Sequence, residues 1–107
     1  MKATISWWDL SHSQQTIESL RDYLADDGIA PWENVPGMVM KFWISEPSTN
    51  RWGAVMLWES ASAAQGPKPP NRALELIGYP PEIQLFVNIE ALVGQLQLNG
   101  LAQMSVV

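Results

Sequence analysis

Four segments of the chain are rich in β-branched, aromatic and other apolar residues and end at clusters of Pro, Gly, Ser or Asn, a pattern typical of β-strands. These predicted strands are residues 2–9, 38–46, 52–59 and 82–92. In the last of them apolar and polar side chains largely alternate, which places Ile83, Leu85, Val87 and Ile89 on one face.

The segment after the first strand has helical spacing instead. Ser11 with Gln14 fits a capping box at its start, Ser13 is the alternative N-cap, and Gly28 is a natural residue for its end. Its apolar side chains fall on one stripe of a predicted helix of about four turns: Ile17, Leu20 and Leu24.

The segment between the third and fourth strands predicts a broken helix. Ser60 can cap a short turn through residues 61–64, and the Gly- and Pro-rich run 66–70 interrupts it. Asn71 can cap a second piece that Gly78 closes.

The order strand–helix–strand–strand–helix–strand predicts an α+β, ferredoxin-like antiparallel sheet with both helices on one face. At 107 residues the chain has the size of a single domain, spanning residues 1–107. Residues 94–107 form an apolar, uncharged C-terminal tail, which we expect to dock on the sheet or on a partner through about Leu98.

The two middle strands predict a hairpin whose register follows from its turn. If residues 47–50 form the turn, Glu46 lies opposite Arg51 and Val39 opposite Trp58. Alternation then gives an aliphatic face, formed by Met38, Met40, Phe42, Ile44, Gly53, Val55 and Leu57. The opposite, tryptophan face is formed by Val39, Lys41, Trp43, Trp52, Ala54, Met56 and Trp58.

Both faces of this hairpin are largely apolar, although two helices can cover only one. We expect the helices to cover the aliphatic face and the tryptophan face to pack against a second copy of the chain, giving a homodimer. Burial of one large apolar side chain contributes about 1.5–3 kcal/mol, so several exposed tryptophans would be costly. The alternative is a monomer with an exposed apolar patch.

Composition supports a small domain with excess apolar surface. Hydrophobic residues make up 47% of the chain and charged residues 16%, with 6 Trp. The net charge of −5, with scattered basic residues, argues against nucleic-acid binding. No run of apolar residues is long enough for a membrane span. The chain has 0 Cys, so chemistry that needs a thiolate is excluded. We therefore expect a cytoplasmic protein.

Two segments carry a family resemblance. Residues 36–43, Pro-Gly-Met-Val-Met-Lys-Phe-Trp, resemble the PGF-x-x-K-x-W segment of the YdhR-like mono-oxygenase family, and residues 52–63 resemble its GG-x-Y-x-F strand and the following helix start. The resemblance implies a dimeric α/β barrel with a pocket between sheet and helices, and kinship with cofactor-free mono-oxygenases of aromatic polyketides or quinols. The break at residues 66–70 departs from the family pattern, so the substrate is not carried over.

Such a mono-oxygenase needs a base that deprotonates a phenol or quinol, polar donors for the oxyanion and a dry pocket. The chain has 1 His, His12, which is the candidate base because an imidazole ordinarily titrates near neutral pH. Asp9, three residues earlier, could orient it. The alternative for His12 is a solvated loop residue beside a helix cap.

Five further residues are candidates for substrate binding: Trp8, Lys41, Trp43, Trp58 and Arg72. The tryptophans could form the wall of a pocket for a flat ligand, or could pack in the dimer core. Lys41 could bind an anionic group or extend to water at the dimer rim, and Arg72 could hold an acidic ligand or be a surface residue.

The predicted function is a cofactor-independent, mono-oxygenase-like enzyme for a small aromatic or quinol-type molecule. The alternative is a non-catalytic homodimeric domain that binds such a molecule. We expect no metal, because a single histidine and scattered carboxylates lack metal-ligand spacing. We expect no cofactor, because the chain has no glycine-rich dinucleotide or phosphate loop.

Overall fold

The computed structural model describes residues 1–94 and has an α+β architecture built on one four-stranded antiparallel sheet. The strand order along the sheet is β2-β3-β1-β4, so β1 lies between β3 and β4. The strands are β1 (Lys2–Asp9), β2 (Met38–Glu46), β3 (Arg51–Trp58) and β4 (Ile83–Asn88). The predicted strands are confirmed, with β4 shorter than the sequence pattern suggested.

The first helix is shorter than predicted and begins later. Helix α1 (Ile17–Tyr23) is capped by Thr16, whose hydroxyl accepts from the backbone N–H of Ser19, and a π-helical turn, Leu24–Gly28, continues it. The capping box predicted at Ser11 is wrong, because the chain first makes a 3-10 turn at Leu10–His12.

The second helix is broken, as the sequence predicted. Helix α2 (Ala61–Ala64) is capped by Ser60, and helix α3 (Arg72–Ile77) is capped by Asn71. Gly78 ends α3 with φ of 99°, a left-handed conformation that glycine adopts without steric cost.

The predicted hairpin register holds over most of its length. Glu46 lies opposite Arg51 and Lys41 opposite Met56, but a β-bulge between Met38 and Met40 breaks the ladder. Trp58 therefore pairs with Met38, and the predicted pairing with Val39 is wrong. The side chains of this pair bind elsewhere: Arg51 forms an ion pair with Glu82 at 3.1 Å, and the Glu46 carboxylate accepts from the backbone N–H of Ser48 at 3.0 Å.

The helices cover the tryptophan face of the sheet. Leu20 of α1 and Ile77 of α3 share one buried cluster with Trp8 and Trp52. The prediction that the helices cover the aliphatic face is therefore wrong.

One long-range hydrogen bond joins the tryptophan face to the segment after α3. The indole N–H of Trp8 donates to the carbonyl of Tyr79 at 2.8 Å, whereas that of Trp58 donates within the sheet to Thr4 Oγ1 at 3.2 Å. A buried indole needs an acceptor for its N–H, and the segment after α3 supplies one for Trp8.

The aliphatic face is left uncovered by the helices. It continues from the hairpin onto the outer strands, so that Phe42 is 37% and Leu85 49% exposed. Gly53 lies at its centre, where a Cβ atom would be 2.2 Å from the Ser6 carbonyl oxygen and 3.0 Å from the Trp7 ring. The strand pairing adds these side chains to the face: Ala3, Ile5, Trp7, Ile83, Leu85 and Val87.

The sheet is thus apolar on both faces, and helices cover one of them, as the sequence predicted. The covered face is the tryptophan face and not the aliphatic face. Helices α1 and α3 occupy the tryptophan face, where a second copy of the chain was expected.

No helix among residues 1–94 is long and apolar enough to cross a membrane. The C-terminal tail was predicted to dock on the sheet, and apart from Gly94 it lies outside the described residues.

Candidate functional site: a lysine in a tryptophan-lined cavity

A cavity of about 130 Å³ lies between the tryptophan face and the segment that joins α2 to α3. Strands β1, β2 and β3 form its floor, residues 68–73 cover it, and Trp32 closes one side. It is lined by Ser6, Trp8, Trp32, Lys41, Trp43, Trp52, Ala54, Met56, Lys68, Pro69, Asn71 and Ala73. The space exists because short side chains such as Ser6 and Ala54 stand between tall indole rings.

Lys41 and Lys68 are the two cations that line this cavity, and Lys41 is the one held against its aromatic walls. Its Nζ lies 3.2 Å from the centre of the Trp32 ring and 4.8 Å from that of Trp43, so the ammonium is held between aromatic faces. Within residues 1–94 the ion pairs are Arg51–Glu82 and Arg72–Glu75, and no carboxylate neutralises Lys41.

Burial lowers the pKa of Lys41 from its ordinary value near 10.5 to about 7. Removing an ammonium from water favours the neutral amine, and no carboxylate of the described chain opposes that effect. The aromatic faces attract the ammonium and act in the opposite direction. With a pKa of about 7, both the amine and the ammonium are populated near neutral pH.

Trp32 reaches the cavity from a loop that the sequence pattern left without a role. A 3-10 turn, Ala30–Trp32, follows the π-helical turn, and the Trp32 backbone N–H donates to the Ile29 carbonyl at 3.0 Å. Pro31 fixes the backbone of this turn. The one signal in the sequence was a tryptophan in a loop between Pro31 and Pro36. The position of a loop in the fold does not follow from periodicity, so this signal did not assign Trp32 to the cavity.

The other polar side chains of the cavity are largely engaged in helix capping. Asn71 Oδ1 accepts from the backbone N–H of Leu74 at 3.1 Å, which caps α3. Lys68 Nζ donates to the carbonyl of Ala64 at the end of α2 and to that of Gly66 at 3.4 Å. Lys41 is therefore the main ionisable group left for a ligand.

The structure brings three of the predicted binding residues together, since Trp8, Lys41 and Trp43 all line the cavity. The Lys41 ammonium lies against the Trp32 ring on the helix-covered face, and its extension to water at a dimer rim stays a prediction. Trp58 is fully buried and is not among the lining residues. Its role in substrate binding stays a prediction.

His12 and Asp9 lie away from the cavity. His12 is exposed at the end of its 3-10 turn. The Asp9 carboxylate accepts from the backbone N–H of Ser11 at 2.9 Å, and this bond holds the pKa of Asp9 below its usual value. Neither residue lines the cavity, and their catalytic roles stay predictions.

Arg72 lies at a second cleft, of about 160 Å³, which shares Trp32 and Pro69 with the first cavity. Its exposed guanidinium binds Glu75 at 2.7 Å. Trp32 thus lines both the cavity of Lys41 and the cleft of Arg72, and the role of Arg72 in ligand binding stays a prediction.

A larger depression of about 570 Å³ lies against α1, but it is open to solvent and combines polar residues with the carboxylates of Asp22 and Asp26. No cation lines it. Binding sites for small molecules are enclosed and mostly apolar with a few polar groups, so the Lys41 cavity is the better candidate. Among residues 1–94 no cluster of three His, Asp or Glu side chains could hold a metal ion.

No protein-family model matches the chain, and no curated protein matches it significantly. The resemblance of residues 36–43 and 52–63 to the YdhR-like family therefore stays an expectation from those residues.

Proposed function

We propose that the Lys41 cavity binds a small aromatic molecule with an acidic hydroxyl group, and that the neutral amine of Lys41 accepts the proton of that hydroxyl. The observation that carries this proposal is the position of Nζ over the Trp32 ring in a cavity without a neighbouring carboxylate. The tryptophan walls supply flat apolar surface for a ring, and Lys41 supplies the acid–base group.

The volume of the cavity favours a ligand of about one aromatic ring. An apolar protein cavity of about 150 Å³ can hold benzene, and the Lys41 cavity measures about 130 Å³. We therefore expect single-ring phenols or quinols rather than polycyclic ones.

Proton transfer to Lys41 produces a phenolate beside an ammonium. A phenol has an ordinary pKa of about 10, so transfer to an amine with a pKa of about 7 is unfavourable for the separated groups. The two product charges attract each other strongly where water is scarce, which offsets part of this difference. The same ammonium then stabilises the oxyanion.

The reaction class rests on the resemblance of residues 36–43, which include Lys41, to the YdhR-like segment. A phenolate or quinol anion is electron-rich enough to reduce oxygen itself, so an enzyme of this class needs a base and a shielded pocket. We propose that Lys41 performs the role that the sequence pattern suggested for His12.

A second candidate function is binding of the same aromatic molecule without turnover. The capping bonds of Asn71 and Lys68 favour it, because they leave few polar groups to stabilise an intermediate. In this case ligand binding would quench tryptophan fluorescence and no oxygen would be consumed.

We also propose that the protein is a homodimer that buries the aliphatic face, with the ferredoxin-like subunits forming an α/β barrel. This face has exposed Phe42, Leu85 and Val87, and a same-face contact around a two-fold axis would remove such side chains from water. The Lys41 cavity lies on the opposite side of the sheet, so each subunit would keep its own site.

The test is oxygen consumption and tryptophan quenching with a panel of single-ring quinols. Lys41→Met should lower turnover by roughly 100-fold or more, since it removes a general base. Lys41→Arg keeps a charge but cannot accept a proton, so it should bind ligand and fail to turn it over. His12→Ala is the control and should keep wild-type turnover.

Loss of turnover in His12→Ala with normal turnover in Lys41→Met would contradict the proposed role of Lys41. Quenching without oxygen consumption in the wild-type protein would favour the binding domain.

A further inference from the structure

We propose that Lys41 is a nucleophile that forms an imine with small aromatic aldehydes entering the same cavity. The inference rests on the site proposed above but not on its acid–base role. Three features of the structure carry it: the placement of Nζ, the lack of a neutralising group, and the size of the space beside it.

The placement of Nζ gives the amine a partner-free position next to aromatic walls. It lies 3.2 Å from the centre of the Trp32 ring, and no hydrogen bond or ion pair to another residue within 1–94 occupies it. An aromatic aldehyde stacked between such walls would present its carbonyl carbon to the amine.

The lack of a carboxylate keeps part of Lys41 in the nucleophilic form. Burial lowers the pKa of Lys41 to about 7, whereas an exposed lysine near pKa 10.4 is almost wholly protonated at neutral pH. Desolvation in an apolar pocket is a recognised way to activate a lysine for Schiff-base chemistry.

The reaction balances without an oxidant or a cofactor. The nitrogen lone pair attacks the carbonyl carbon, so that a C–N bond forms as the C=O π bond opens, and one proton passes from nitrogen to oxygen to give a carbinolamine. The C–O bond then breaks and the hydroxyl leaves as water with the second nitrogen proton, so amine and aldehyde give imine and one water molecule.

The test is reductive trapping of the wild-type protein at about pH 7 with benzaldehyde and sodium cyanoborohydride, followed by peptide mass mapping. Lys41 should be benzylated at least about tenfold faster than Lys2 or Lys68, because burial populates its neutral amine and the cavity holds the aldehyde beside Nζ. The α-amino group of Met1, an exposed residue, serves as an internal reference for reagent activity.

Two comparisons separate a site effect from general reactivity. In urea the preference for Lys41 should disappear, because the unfolded chain exposes all its lysines equally. A pyrene aldehyde, too large for a cavity of about 130 Å³, should label Met1 but not Lys41.

Equal labelling of Lys41, Lys2 and Lys68 in the folded protein would overturn the inference, and so would ready labelling of Lys41 by the pyrene aldehyde. If a phenol quenches tryptophan fluorescence but benzaldehyde does not label Lys41, the proposed binding site is retained. Only the nucleophilic chemistry of Lys41 is then ruled out. The two proposals can therefore fail independently.

Discussion

Replacing Lys41 by methionine should stabilise the protein below pH 7, although the side chain is largely buried. Below pH 7 the lysine is protonated in both the folded and the unfolded chain, and the folded state then carries the full cost of a desolvated ammonium. Methionine has a similar length and carries no charge, so it fills the same space without that cost.

The pH dependence gives this prediction its sign. Between pH 7 and about 10.5 the unfolded chain holds a proton that folded Lys41 has lost, so the contribution of this group to stability rises with pH. The shift corresponds to at most about 5 kcal/mol, and the lost contact with the Trp32 ring reduces the gain by about 0.5–2 kcal/mol. Above about pH 10.5 the advantage of methionine should vanish.

Urea unfolding from pH 6 to pH 10 measures the difference between Lys41→Met and wild type. Lys2→Met is the matched control, because Lys2 lies at the start of β1, where its Nζ donates to Asn88 in an exposed hydrogen bond. A Lys41→Met protein that is less stable than wild type at every pH would contradict the account of this side chain.

A charge at the centre of the aliphatic face should convert the proposed dimer into monomers. Val55 of β3 lies between Ile5 of β1 and Phe42 of β2, so Val55→Asp would place a carboxylate among apolar side chains. A buried, unpaired charge costs several kcal/mol, which corresponds to a loss of roughly 100-fold or more in dimer affinity.

Sedimentation velocity at micromolar protein concentration measures this change. Wild type should sediment as a dimer and Val55→Asp as a folded monomer, with circular dichroism checking the fold. Ser62→Asp adds the same charge on the exposed surface of α2 and should remain dimeric. A wild-type protein that is a stable monomer would remove the homodimer from the account and would leave the Lys41 site untouched.

Local chemistry predicted much of the fold. The turn at Pro47–Thr49 predicted the hairpin register, in which Glu46 lies opposite Arg51. The residue types of Asn71 and Gly78 predicted the two caps of α3. The bulge at Val39 was not readable, because an extra residue in one strand leaves the apolar pattern nearly unchanged.

The choice of covered face was wrong for a physical reason. Alternation shows which residues share a face, and both faces here are apolar, so hydrophobicity could not say which one the helices would cover. Long-range hydrogen bonds distinguish them: the Trp8 indole reaches the Tyr79 carbonyl, 71 residues away in sequence, and such contacts have no local signature.

The same limit applies to the site. Lys41 stood out as a lone cation in an apolar strand, and Trp8 and Trp43 were assigned to a pocket that they do line. Trp32 was missed because a loop residue is placed by tertiary contacts, and without it the aromatic contact with Lys41 could not be foreseen.

The most direct test of the Lys41 site is its titration, followed by NMR of the lysine side chains. We expect the Lys41 signal, assigned by its loss in Lys41→Arg, to titrate with a midpoint of about 7. A midpoint near the ordinary lysine value of about 10.4 would contradict both the buried amine and the chemistry proposed for it.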